Sequence, residues 1–164
     1  MKYFAYGSNM SIARLKERVP SAMPLGCFTI KEHDLRFHKS SKDGSGKCDA
    51  FFTGNGEDVI FGALFEINPS EKTALDRAEG LGSGYNEKEI TFIAEDGISF
   101  KAITYFATSI NEDLKPYSWY VNHVLVGAKE TSLPNDYIQR KITAAQSIED
   151  NDKERDAKQR AIHR

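Results

Sequence analysis

At 164 residues, with 40% apolar and 28% charged side chains, the chain is long enough to bury one substantial core and short for two. A net charge of −2 and the lack of any concentrated basic patch remove the electrostatic hold that nucleic acid or an anionic membrane requires. Strand residues begin at once, without an export signal, and no stretch approaches the length of a membrane span, so the sequence reads as cytoplasmic.

The stretch from Lys2 to Met10 reads as a short buried strand that breaks into a turn. Alternation puts Phe4 and Tyr6 on one strand face and Tyr3 and Ala5 on the other, so neither face suits water and the strand belongs inside a sheet. Gly7 permits backbone angles that a Cβ disfavours, and Ser8 and Asn9 favour turns and helix caps. A helix follows, capped by Ser11 or Asn9, with Ile12, Leu15 and Val19 at helical spacing. A strand, a glycine turn and a helix start leave several N–H groups pointing outward, a cradle for a carboxylate or an oxyanion.

Pro20 and Pro24 bracket a connection, and Leu25 to Phe37 reads as one long strand bent at Gly26. After a polar loop from Ser40 to Gly46, the stretches Cys48 to Thr53 and Val59 to Ile67 read as a hairpin turned at Gly54-Asn55-Gly56-Glu57-Asp58. The second of these strands is apolar on nearly both faces and belongs in the middle of its sheet. Asn68-Pro69 opens a helix capped by Asn68 or Ser70, with Ala74, Leu75 and Ala78 as its apolar face and Gly80 as its stop. Tyr85 to Glu95 and Ile98 to Thr108 form a second hairpin, turned at Asp96-Gly97.

Pro116 opens an amphipathic helix with Tyr117, Tyr120, Val121, Val124, Leu125 and Ala128 inward. Pro134 or Asn135 opens the next, with Tyr137, Ile138, Ile142, Ala145 and Ile148 inward. This order predicts an α+β domain over residues 1–148, a mainly antiparallel, barrel-like sheet flanked by helices. Residues 149–164 are almost all charge and read as a solvated helix extension or a tail.

Cys27 and Cys48 fit neither a redox pair nor a zinc site and are expected as reduced core thiols. His33, His38, His123 and His163 show no metal-ligand spacing. The glycines from Gly80 to Gly84 follow a helix and precede no Lys-Ser/Thr pair, so they read as a connection and not as a phosphate loop. Ser8 lacks the Gly-x-Ser-x-Gly elbow of a hydrolase nucleophile.

Glu79 is the carboxylate of interest. It follows Leu75 by four residues and so shares the inward face of its helix, and it stands at the carbonyl end of the helix dipole with Asp76 nearby. Each of these disfavours the ionised form, which suits proton transfer. Pattern alone favours the plainer reading, in which Glu79 bends to the surface beside its glycine cap.

The spelling Tyr3-Phe4-Ala5-Tyr6-Gly7-Ser8-Asn9 resembles the opening signature of the γ-glutamylcyclotransferases. Leu75-Asp76-Arg77-Ala78-Glu79-Gly80, followed by Gly84-Tyr85, resembles the segment that carries that family's catalytic glutamate, and the likeness runs in order through Val59 to Phe65, Tyr120 to Glu130, Leu133-Pro134 and Tyr137. The resemblance implies that Glu79 is the general acid/base and that Tyr6, Gly7, Ser8 and Asn9 cradle the substrate. Tyr120 matches a tyrosine near the family's site, although a core role would look the same. The implied reaction turns a γ-glutamyl amide into 5-oxoproline and a free amine or amino acid, with no metal or organic cofactor. Ser8-Asn9 favours γ-glutamyl amino acids; a γ-glutamylamine, another acyl intermediate, or non-catalytic binding of a small acidic ligand are the rival readings. Relatives are often homodimers, yet no exposed apolar stripe marks an interface.

Overall fold

The computed structural model describes residues 1–164. Seven strands and five helices make a mixed α+β molecule. Strands β1 (Lys2–Ala5), β2 (Met23–Lys31), β5 (Val59–Glu66), β6 (Tyr85–Ile93) and β7 (Ser99–Ala107) form a sheet ordered β2-β5-β1-β7-β6. Strands β3 (His33–Ser40) and β4 (Gly46–Phe52) pair separately. All pairings are antiparallel except β1 with β7. The large sheet curls until Phe28 on one edge strand reaches Phe92 on the other, ring centroids 5.8 Å apart, but no ladder closes it.

β1 is the central strand, and Tyr3, Phe4 and Ala5 are all buried, as the apolar character of both its faces requires. β5 lies between β2 and β1.

The stretch from Leu25 to Phe37 is two strands, not one. Glu32 adopts φ +64° and turns the chain from one sheet into the other. That crossing is fastened to the 53–58 connection: the Glu32 N–H donates to the Asp58 carbonyl, and the Glu32 carbonyl accepts from Thr53 N–H at 2.8 Å and Gly54 N–H at 3.3 Å. For the same reason β4 and β5 are not a hairpin; each pairs elsewhere and the glycine turn links two sheets. The 85–108 hairpin forms as expected, β6 and β7 running in unbroken register from Tyr85 opposite Ala107 to Ile93 opposite Ser99.

Among the helices, α1 (Ile12–Lys16) is capped by Ser11, whose Oγ accepts from Arg14 N–H. α2 (Lys72–Glu79) follows a 3₁₀ turn capped by Asn68 and ends at Gly80, φ +72°. Of its expected apolar face only Leu75 is buried; Ala74 and Ala78 face water, so this helix is held by one anchor. α3 (Ser118–Glu130) buries Trp119, His123 and Gly127 beside the expected Tyr120, Val124 and Ala128. α4 (Asn135–Tyr137) widens into a π-helical turn over Ile138–Thr143, which buries Tyr137, Ile138 and Ile142 but leaves Ile148 outside.

α5 (Lys153–Ala161) lies in the charged C-terminal segment and docks on α3 through polar groups. No residue of 149–164 enters the apolar core. Cys48 is buried there, whereas Cys27, on edge strand β2, is exposed and so is not a core thiol. No helix is long and apolar enough to cross a membrane.

Candidate active site

The chain leaves β1 at Ala5, and Tyr6 already lies past the last strand residue. Strand alternation therefore stops applying, and Tyr3 and Tyr6, expected on opposite faces, line one cavity together. Gly7 has a negative φ, and what demands glycine is proximity: a Cβ there would stand 2.8 Å from Cys48 Cβ. A 3₁₀ turn over Ser8–Met10 follows. The Gly7 and Ser8 carbonyls accept from Met10 and Ser11 N–H, and the loop and cap hydrogen bonds include none donated by the N–H groups of Gly7, Ser8 or Asn9. Gly7, Ser8 and Asn9 all line the cavity, so their backbone stands where a cradle would be.

Glu79 closes the cavity from the other side. As the last residue of α2 it points inward below Gly80, with its side chain 16% exposed. The Asn9 side-chain amide donates to Glu79 Oε1 and, at 3.1 Å, to the Tyr3 hydroxyl. Arg18 Nη1 donates to Asn9 Oδ1 at 2.7 Å and lies 3.9 Å from Glu79 Oε1. Asn9 therefore does not cap the first helix; it positions the carboxylate.

Tyrosines make the remaining wall. Tyr120 is buried in α3, and its hydroxyl accepts from Cys48 N–H at 2.9 Å, while Tyr85 donates to the Cys48 carbonyl at 2.5 Å. Tyr6 donates to the Tyr105 carbonyl at 2.5 Å, and Tyr105 to Asp76 Oδ1 at 2.6 Å. Burial raises the pKa of all four phenols, so they stay neutral over the physiological range. Burial likewise pushes the Cys48 thiol up to about 12, which removes it as a thiolate nucleophile at neutral pH.

All six residues singled out from sequence thus line one cavity: Tyr6, Gly7, Ser8, Asn9, Glu79 and Tyr120. Tyr3, Cys48, Tyr85 and Tyr105 line it too and were not anticipated. Tyr85 stands beside Gly84 in the segment that resembles the family's; Tyr105 reaches the cavity through the pairing of β7, and Cys48, in the separate β3-β4 pair, through its backbone bonds to the Tyr120 and Tyr85 hydroxyls. No three His, Cys, Asp or Glu side chains converge as metal ligands. Chemically, an inward carboxylate and the Gly7-Ser8-Asn9 turn share a small space walled by neutral hydroxyls. Such a space can take a proton from a bound group and stabilise developing negative charge.

The chain is similar to several known proteins. Residues 59–140 match the model of the AIG2-like family. The chain is 34% identical to the γ-glutamylcyclotransferase of Bos taurus and 33% identical to that of Homo sapiens, in each case over 92% of this chain and 79% of the relative. Among solved structures, an uncharacterised protein from Homo sapiens superposes with a TM-score of 0.84 at 28% identity, covering 99% of this chain and 98% of that one. A γ-glutamyl cyclotransferase superposes with a TM-score of 0.81 at 28% identity, over 92% and 90% of the two chains.

Proposed function

The chain belongs to the γ-glutamylcyclotransferases of the AIG2-like family, and on that premise we propose that it cyclises a γ-glutamyl amino acid or amide to 5-oxoproline with Glu79 as general acid/base. The observation that carries the reading is the inward Glu79 carboxylate, held by Asn9 against the turn whose N–H groups donate none of the loop hydrogen bonds.

The reaction needs few groups because the nucleophile and the electrophile belong to one molecule. Folding the glutamyl chain back on itself brings the α-nitrogen to the γ-carbon, and holding that conformer supplies much of the rate. Glu79 takes a proton from the α-ammonium, which cannot attack while protonated. The freed amine then forms a bond to the γ-carbon, and the carbonyl oxygen becomes an oxyanion. The N–H groups of Gly7, Ser8 and Asn9 are the donors available to it or to the glutamyl carboxylate. Bond formation leaves the attacking nitrogen cationic, so it gives up a second proton, and as the bond to the leaving nitrogen breaks Glu79 passes both protons, one after the other, to that nitrogen. Over the whole reaction the attacking nitrogen keeps one hydrogen in the ring and the leaving amine departs protonated.

Tyr120 keeps the Cys48 strand against the turn and offers a neutral wall to the ring that forms. The test is release of 5-oxoproline from γ-glutamyl-alanine, γ-glutamylamines and glutathione, with Glu79→Gln as control. Release from one class, abolished in a folded Glu79→Gln protein, supports the reading; no release from any of them sinks it.

A further inference from the structure

Beside the Glu79 cavity, and sharing Ser8, Glu79, Tyr85 and Tyr120 with it, lies a second cavity of ≈ 170 Å³. Its walls carry four cations, Arg14, Arg18, Lys39 and Lys47. Lys47 is neutralised by Asp43 at 2.9 Å, and the carboxylate nearest Arg18 is Glu79 itself, 3.9 Å away. Arg14 and Lys39 pair with no carboxylate, although they are only 8% and 9% exposed. Arg14 donates to two neutral acceptors, Ser8 Oγ at 3.1 Å and Gln159 Oε1 at 2.8 Å. The Lys39 ammonium lies over the Tyr85 ring, 4.6 Å from its centroid, packed so closely on Gly84 that a Cβ there would come within 3.0 Å of it. Burial pushes Arg14 down to about 10 and lowers Lys39 as well.

A buried cation without a counter-ion costs folding energy unless a ligand supplies the anion. Resting on the reading of Glu79 as the centre of γ-glutamyl cyclisation, we propose that this second cavity receives the leaving group and prefers an amino acid or peptide with two carboxylates. The charge count favours that choice. With Lys47 and Asp43 cancelling, Arg14, Arg18 and Lys39 against Glu79 leave two positive charges. A simple amine brings no anion to match them, a neutral amino acid brings one, and an acidic amino acid brings two. Connectivity agrees, because an amide nitrogen beside Glu79 sends its substituent across the shared wall into the cationic space. The tyrosine-lined cavity, whose lining includes no cation, is left for the glutamyl half.

The experiment compares kcat/KM for 5-oxoproline release from γ-glutamyl-glutamate and γ-glutamyl-alanine, in the full chain and in Lys39→Met. A preference of about tenfold or more for the acidic leaving group is expected, as for one added charge-assisted hydrogen bond. In Lys39→Met the ratio should fall to within about twofold of one. Equal values in the unaltered chain, or a preference that survives the substitution, overturn the proposal. A thermal melt checks that Lys39→Met folds, and Lys39→Gln replaces it if it does not. Should neither substrate release 5-oxoproline, the reaction reading fails separately, and calorimetric titration with glutarate and butyrate decides the subsite. Tighter glutarate binding that is lost in Lys39→Met upholds a dicarboxylate site; equal or absent binding rejects it.

Discussion

Asn9 and Glu79, seventy residues apart in the chain, are joined by a hydrogen bond from the Asn9 side-chain amide to Glu79 Oε1. Asn9 in turn accepts from Arg18, so a turn after the first strand and a helix end in mid-chain are locked into one constellation. Sequence alone gave Asn9 a cap or a cradle role, and the structure gives it the task of aiming the carboxylate.

That role predicts the behaviour of Asn9→Ala. The variant keeps Glu79 but removes the group that orients it, so kcat should fall by about 10²-fold, the scale expected when a reacting group is misplaced by an ångström. KM should move less. Steady-state 5-oxoproline release measures both, and a kcat within twofold of the unaltered chain would show that Glu79 needs no positioning by Asn9.

Gly127 tests how the cradle is supported. A Cβ there would stand 2.3 Å from Ser11 N and 2.4 Å from the Met10 carbonyl carbon, both backbone atoms that no rotamer change can move. Alanine in place of glycine inside a helix is ordinarily worth about 1 kcal/mol in favour. Here the overlap should outweigh that gain, because forcing packed backbones apart costs about 1–3 kcal/mol or more. Gly127→Ala is therefore expected to melt lower than the parent, and urea titration gives the difference. A stabilised variant would mean that α3 does not sit this close to the turn.

These positions also show what could be read in advance. The strand-turn-helix start, the Ser11 cap, the Gly80 stop and the second hairpin each carry their own local signal, and they appear where their residues dictate. The crossing at Glu32 carries none. It is a non-glycine residue at φ +64° in the middle of an extended stretch, fixed by hydrogen bonds to residues more than twenty positions away. Tyr105 and Cys48 join the site for the same kind of reason, because only contacts between residues distant in the chain bring them there: the pairing of β7 for one, hydrogen bonds to Tyr85 and Tyr120 for the other. The C-terminal segment defeats periodicity altogether, since it docks by charge and hydrogen bonds and an apolar count cannot register that.

His123 gives the stability a pH dependence. It is fully buried between His163, at 2.6 Å, and Gln159, at 2.9 Å, and burial together with the Arg14 charge lowers its pKa from 6.5 to about 3. In the fold it is neutral until about pH 3, whereas the unfolded chain takes up a proton near pH 6.5. Between those values the unfolded state binds more protons, so stability falls as the pH falls, by at most about 1.4 kcal/mol per pH unit from this group. Urea titrations at intervals from neutral pH to pH 4 should show that slope, and His123→Gln should flatten it. An unchanged slope in the variant would assign acid sensitivity to other groups.

The C-terminal segment adds nothing to the apolar core, yet polar contacts fasten it to α3. Trp119, 3% exposed in α3, donates its indole N–H to Asp150 Oδ2 at 2.9 Å. Asp150 is also gripped by both Nε and Nη2 of Arg155, at 2.6 and 2.8 Å, and accepts from Asp152 N–H. This carboxylate is one of the ties on α5, beside Gln159 with His123 and Arg160 with the Ser118 hydroxyl, and Gln159 also meets Arg14, which holds Ser8 in the cradle. Asp150→Ala strands a buried indole N–H and should cost about 1–3 kcal/mol. If α5 is released as a unit, the loss of the Gln159 contact should also raise KM, because Arg14 and Ser8 become less ordered. Asp150→Asn separates the two effects: its amide oxygen can still serve Trp119 but the charge that holds Arg155 is gone. A KM raised in both variants, with stability lost mainly in Asp150→Ala, is the expected pattern. If KM is unchanged in both, the C-terminal helix supports α3 and has no reach into the cradle.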